Sequence, residues 1–252
     1  MIIDTFLFAW ELDILEMRFH EMDSFVDKFV IIESNTTFQG SYKPFYYELN
    51  KDRFSKWSHK VINVYADLHN ISDIWAREYA SRETLKKVLN NFSDDDIILH
   101  GDVDELMSQK TGKALQYIIN HSDIYSLDQK LYSMAVDWLY PADWNGTSIT
   151  RCRNLRSMSI LDFRNYRISA KKIRDGWHFT WLGGEDLIKR KAASFSHTED
   201  EIQSFIKEMG IKMYTEGYHV RGEKLIPVNI DETFPEYIKN RLCPEEWFRK
   251  NN

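Results

Sequence analysis

The stretch "DDDIILHGDVDEL", residues 94–106, sets three acids ahead of a short apolar run and Asp102, Asp104 and Glu105 just behind it. The run "DIILHG" is rich in β-branched residues and bounded by polar ones, which predicts a buried strand. Three carboxylates crowded at the end of such a strand raise the question of what holds their charge. Alternate residues of an extended segment point the same way, so Asp102 and Asp104 face one space while Val103 packs inward. Two carboxylates converging there repel each other unless a cation sits between them. Oxygen ligands select a hard divalent ion, Mg²⁺ or Mn²⁺, which keeps positions open for substrate phosphates. Gly101 permits a tight backbone turn at this point. The plainer reading is that the acids only turn the chain and cap the next helix.

Outward from this stretch, "IIDTFLF", "KFVIIES" and "HKVINVY" read as three further strands. Between the first two, "ELDILEMRFHEM" places Leu12, Leu15, Met17, Phe19 and Met22 at helical spacing. Ahead of the acidic strand, "SDIWAREYASRETLKKVLNNF" carries Ile74, Tyr79, Leu85, Val88 and Leu89 behind a Ser72 or Asp73 cap. Strands alternating with helices predict βαβ units in an α/β layer fold. In such a sheet, ligands bind beyond the carboxyl ends of the strands, which is where Asp102 and Asp104 fall. "SQKTGKALQYIINH" predicts another helix, followed by strands around 124–136, 147–152 and 177–182, helix from 185 to 214 and a last helix at 234–241. With 252 residues, 43% hydrophobic, the chain can bury one large core. It reads as one domain over 1–252, with a nucleotide-binding half (1–105), an acceptor or catalytic half (106–200) and a C-terminal extension (201–252).

The net charge of −6 gives no reason to expect nucleic acid or an anionic membrane as partner. Cys152 and Cys243 match no zinc spacing and are too few for a disulfide framework. The first residues lack a basic leader and a cleavage site, and nothing approaches the roughly 20 apolar residues of a spanning helix. The expectation is therefore a cytoplasmic protein without a membrane span, in which the sequons at Asn35, Asn70, Asn91 and Asn145 are accidental. A phosphotransferase of the haloacid dehalogenase type also places an Asp after an apolar strand. There, however, the pattern D-x-D-x-T/V lies on the first strand, whereas here it follows a later one and Leu106 takes the Thr/Val position.

Four blocks in register, "AWELDILEMRFHEMDSFVDKFVIIESNTTFQG" (9–40), "ILHGDVDEL" (98–106), "GWHFTWLGG" (176–184) and "KAASFSHTE" (191–199), resemble glycosyltransferase family 17. This is the family of the β-1,4-mannosyl-glycoprotein N-acetylglucosaminyltransferases. The resemblance implies a GT-A type fold: a Rossmann-like mixed sheet flanked by helices, with a helical C-terminal extension. It also implies inverting transfer of a sugar, such as N-acetylglucosamine, from a nucleotide-diphosphate donor, UDP-linked by family, to a glycan or glycoprotein hydroxyl.

By position, Asp102 and Asp104 resemble the family's metal-binding D-x-D, with His178 and His197 as candidates to complete the Mn²⁺ or Mg²⁺ shell. A lone histidine is more often a hydrogen-bonded core or surface residue. Glu33 and Ser34 fall where such a sheet meets the nucleoside. Glu11, Asp13 and Arg18 match the N-terminal signature, and Trp10, Glu11 and Asp13 are candidates to bind the donor. Arg77 and Arg82 suit a diphosphate, although Glu78 and Arg82 also have the spacing of an ordinary helix ion pair. Trp177 and Trp181 offer faces for sugar stacking. Asp186 or Glu185, after the glycine pair, is the first candidate for the base that deprotonates the acceptor, and Asp137 in "MAVDWLY" is the second. Two other readings stay open: a carbohydrate-binding protein without turnover on the same fold, and a nucleotidyltransferase. The latter calls for a Gly-rich basic loop after the first strand, where this chain reads "FAWELD".

Overall fold

The computed structural model describes residues 1–196 and 198–249. The four strands of the first half form where the β-branched runs lie: β1 (Ile2–Phe8), β2 (Lys28–Ser34), β3 (Val61–Ala66) and β4 (Ile97–Asp102). They pair in parallel in the order β3-β2-β1-β4, as in one half of a doubly wound sheet. Phe6, Phe29 and Ile31 pack to one side, against Leu15 and Phe19 of helix α1 (Leu12–Met22). Ile3, Val30 and Ile32 pack to the other, with Leu85 and Phe163. Burial of both faces is why these strands read as nearly unbroken apolar runs.

The connection from β2 to β3 holds α2 (Tyr46–Asn50), and that from β3 to β4 holds α3 (Ile74–Glu83), capped by Asp73, whose carboxylate accepts from Ala76 N. The helix expected over this second crossover is cut short: beyond Glu83 the chain continues as 3₁₀ turns at Thr84–Lys87 and Leu89–Asn91. Thr84 donates its hydroxyl back to the Ala80 carbonyl, a bond that competes with regular helix geometry, and Asn90 and Asn91 are poor helix formers.

The second half adds β5 (Glu105–Leu106), α4 (Gln109–Ile118), β6 (Tyr125–Ser133), β7 (Trp138–Leu139), β8 (Trp144–Arg151), β9 (Lys171–Thr180) and β10 (Ile226–Pro227). β8 runs antiparallel between β4 and β6, so the sheet becomes mixed; β9 lies parallel to β6 and antiparallel to β5. Two short helices that the hydrophobic pattern does not announce, α5 (Cys152–Leu155) and α6 (Ile160–Tyr166), follow β8; Ser159 caps α6 by accepting from Asp162 N. The helical stretch expected from 185 to 214 is three pieces, α7 (Gly184–Ala192), α8 (Asp200–Met209) and α9 (Lys212–Glu216), with Gly210 at φ 49° separating the last two. The last helix is a single turn, α10 (Glu236–Lys239), tied to α1 by the Tyr237 N–H, which donates to Glu21 at 2.8 Å. Trp247 and Phe248 join the same core as Phe6. Among the described residues no helix is long and apolar enough to cross a membrane.

Candidate active site

The acidic loop leaves β4 over a close approach. Gly101 serves proximity here and not a turn: a Cβ on it would stand 2.6 Å from both Glu105 Oε2 and Thr147 Oγ1. The loop is fastened from beneath by Arg18, a fully buried residue of α1, which donates to the carbonyls of Asp102, Val103 and Glu105. The Arg18 guanidinium is balanced by Asp4 of β1, which is equally buried.

Above this floor every acid has a cation. Asp102 accepts from Arg82 Nη2 at 2.9 Å and from Arg164 Nη2 at 2.8 Å. Asp104 lies 3.3 Å from His178 Nε2 and 3.2 Å from Lys191 Nζ. Glu105 is buried and accepts from Arg164 through both oxygens, from Trp144 Nε1 and from Thr147 Oγ1. Burial alone would raise the Asp102 carboxyl, but the charges of Arg82 and Arg164 outweigh it and hold Asp102 well below the ordinary carboxylate value. Asp104 is lowered in the same way, with Lys191 and then His178 overcoming the cost of burial.

A cavity of about 560 Å³ opens over this cluster, with Trp10, Glu11, Ser34, Lys43, Trp144 and Trp181 among its walls. A smaller cleft of about 240 Å³ adjoins it and shares Trp10, Glu11, Trp181 and Lys191. Glu11 stands at the junction, one oxygen accepting the backbone N–H groups of Ala9 and Trp10. Trp181 holds a left-handed backbone at φ 61°, a conformation uncommon for a bulky side chain.

The model of glycosyltransferase family 17 matches residues 1–227. The chain belongs to glycosyltransferase family 17. The β-1,4-mannosyl-glycoprotein 4-β-N-acetylglucosaminyltransferase of Homo sapiens is 32% identical over 219 residues, covering 73% of this chain and 41% of that protein. The Rattus norvegicus protein of the same name is 30% identical, covering 73% and 40%. The chain thus spans about two fifths of the length of the curated relatives it matches. Among solved structures, the galactosyltransferase LgtC in complex with donor and acceptor sugar analogs aligns at a TM-score of 0.38 and 11% identity, covering 79% of this chain and 81% of that one. A putative glucose-1-phosphate thymidylyltransferase from Bacillus anthracis aligns at 0.42 and 10%, covering 70% and 87%. Likeness at that level says nothing of function.

Of the candidate site residues read from the sequence, Trp10, Glu11, Ser34, Arg82, Asp102, Asp104 and His178 all line the one cavity. Others do not. Glu185 and Asp186 are exposed in the first turn of α7, where Glu185 pairs with Lys189 at 2.7 Å. Asp137 is held by Arg249, which donates to it through its side chain and backbone N–H. Neither base candidate therefore reaches the cavity. Asp13 pairs with Arg53 at the surface and lines the smaller cleft. Arg77 donates to the Phe38 carbonyl, where it braces the loop after β2. Glu33 lies behind the cavity wall, accepting from Tyr47 N, with Lys43 4.0 Å away. Trp177 and His178 cannot share a site, since neighbours on a strand face opposite ways: Trp177 packs in the core and donates to the Thr233 carbonyl, leaving His178 to the cavity. His197 lies outside the described residues.

The donor set does not fit a divalent ion as it stands. All four oxygens of Asp102 and Asp104 already have a side-chain partner, Arg82, Arg164, His178 or Lys191, and among the described residues no three His, Cys, Asp or Glu side chains converge closely enough to hold a metal. The buried cavity-lining nitrogens left without hydrogen-bond partners are Arg82 Nη1, Arg167 Nη1 and His178 Nδ1. Two of these three can only donate, so the unmet capacity calls mainly for an anion.

Arg164 and Lys191, which neutralise the acids, were not singled out by sequence. Arg164 had one signal, the Ser159 cap ahead of "ILDFRNY". Lys191 opens the family block "KAASFSHTE", in which the histidine drew attention first.

Proposed function

We propose that this protein transfers a sugar from a nucleotide-diphosphate donor to a hydroxyl of a glycan, with inversion. The observation that carries this reading is the convergence, at the carboxyl end of β4 in a single cavity, of the D-x-D acids with Arg82, Arg164 and Lys191 and with the indoles of Trp10, Trp144 and Trp181. Guanidinium and ammonium groups suit a diphosphate, and indole faces suit pyranose rings. The names of the mammalian relatives favour N-acetylglucosamine as the transferred sugar and a mannosyl glycoprotein as acceptor.

In this reading the donor lies in the larger cavity and the acceptor enters through the adjoining cleft. The acceptor hydroxyl attacks the anomeric carbon as the bond to the diphosphate breaks. Glu11, standing where the two spaces meet, takes the proton as general base. Departure of the nucleotide leaves negative charge on the diphosphate, which the surrounding cations stabilise. Neither Mn²⁺ nor Mg²⁺ takes part in a step of this scheme.

The test is a panel of UDP-, GDP- and dTDP-sugars scored by nucleotide release, with and without glycan acceptors, on wild type and Asp104→Asn. Release from at least one donor, stimulated by a glycan and abolished in the variant, supports transfer. Saturable sugar binding with no release from any donor would instead favour a binding protein on the same fold.

A further inference from the structure

Two guanidinium groups at the acid cluster hold donors with no acceptor. Arg82 spends Nε on Glu78 and Nη2 on Glu78 and Asp102, and its Nη1 has no hydrogen-bond partner, although the side chain is only 6% exposed. Arg167 makes no side-chain hydrogen bond among the described residues: its Nη1 is 3.7 Å from Glu105 Oε1, and its guanidinium lies over the Trp144 ring at 5.0 Å. Burial, then the neighbouring Arg164, lower Arg167 to about 10, which still leaves it a cation at neutral pH. A guanidinium cannot accept, so only an incoming acceptor relieves these groups, and a buried donor left unpaired is costly.

A divalent cation would do the opposite. At Asp102 or Asp104 it would have to share or displace the contacts of Arg82, Arg164, His178 or Lys191. Either way it would stand beside guanidinium and ammonium groups, where like charges repel. An anion with several oxygens meets both needs, and planar guanidinium groups match phosphate oxygens in pairs.

We propose that the donor's diphosphate is held directly by Arg82, Arg167 and Lys191, with no divalent ion between it and the protein. This rests on the nucleotide-sugar reading above and adds to it the agent that carries the charge. Lys191 belongs to the set because its ammonium lines the cavity and bonds only Asp104 and Thr180 Oγ1 among the described residues.

The experiment is calorimetric titration of wild type and Arg167→Gln with inorganic pyrophosphate in EDTA, and with uridine diphosphate in EDTA and in Mn²⁺. Arg167 is the chosen site because its side chain makes none of the hydrogen bonds that assemble the cluster, and matched thermal melts check that the variant folds. Expected is binding of both probes in EDTA, uridine diphosphate within about threefold of its affinity in Mn²⁺, and a loss of about tenfold or more in Arg167→Gln. Uridine diphosphate binding that appears only with Mn²⁺ overturns the direct cradle and leaves the nucleotide-sugar reading intact. Undiminished binding in a folded Arg167→Gln removes Arg167 from the cradle and overturns the set as proposed. Failure of both probes under every condition overturns the inference together with the reading beneath it.

Discussion

Arg18 donates through Nη1 to the backbone carbonyl of Asp102 at 3.0 Å, although 84 residues separate the two in sequence. The same nitrogen reaches the carbonyls of Val103 and Glu105 at 3.1 and 2.6 Å, and the guanidinium's other edge takes both oxygens of Asp4 at 2.7 and 2.6 Å. One residue of α1 thus sets the curvature of the loop whose side chains face the cavity. Support and site can be separated experimentally. Arg18→Met strands the buried Asp4 carboxylate and is expected to cost about 3–5 kcal/mol of stability. Adding Asp4→Leu removes that charge and should recover much of the loss. The loop still lacks the three hydrogen bonds that Arg18 Nη1 donates, so binding of uridine diphosphate should stay weak in the refolded double variant. Urea denaturation and titration on the same samples check both halves; recovery of binding along with stability would show that Arg18 supports the fold alone.

Legibility followed the range of the interactions. The parallel strands and α1 were readable because β-branched runs and helical spacing are local signals. The acids at the end of β4 were readable because a strand end is a local position and the strand order follows from βαβ rules. What balances them was not. Arg164 meets Glu105 across 59 residues and Lys191 meets Asp104 across 87, both from helix faces with no pattern of their own. Without those partners in view, the repulsion between Asp102 and Asp104 asked for a metal. The placement of Glu185 and Asp186 was hidden for a related reason: the sequence shows that Gly183 and Gly184 precede two acids, but only the folded chain shows that those acids are exposed on the first turn of α7.

Glu33 makes the fold sensitive to pH. Burial pushes its carboxyl up to about 7, and Lys43 offsets part of that cost. The folded value lies above the ordinary 4.5, so between the two the folded protein keeps a proton that the unfolded chain has released. Stability from this group is therefore greatest below about pH 4.5, declines as pH rises to about 7 and is level beyond. Glu33→Gln removes the titrating group. Its urea midpoint should gain on wild type between about pH 5 and pH 7, with a constant difference above. Parallel midpoints across that range would show that Glu33 does not titrate there.

The proton acceptor is tested by replacing Glu11 and Asp186 side by side. Glu11→Gln keeps an oxygen able to accept the Ala9 and Trp10 N–H groups, so the wall between the two spaces should stand, while the amide cannot take a proton. If Glu11 is the base, kcat for glycan transfer should fall by about 10²- to 10⁴-fold with donor affinity little changed. Asp186→Asn alters an exposed carboxylate on the first turn of α7, and its kcat should stay within about twofold of wild type. A large loss in Asp186→Asn with Glu11→Gln unaffected would require α7 to swing its first turn toward the acceptor during turnover, and would return the role to the acid that the glycine pair introduces.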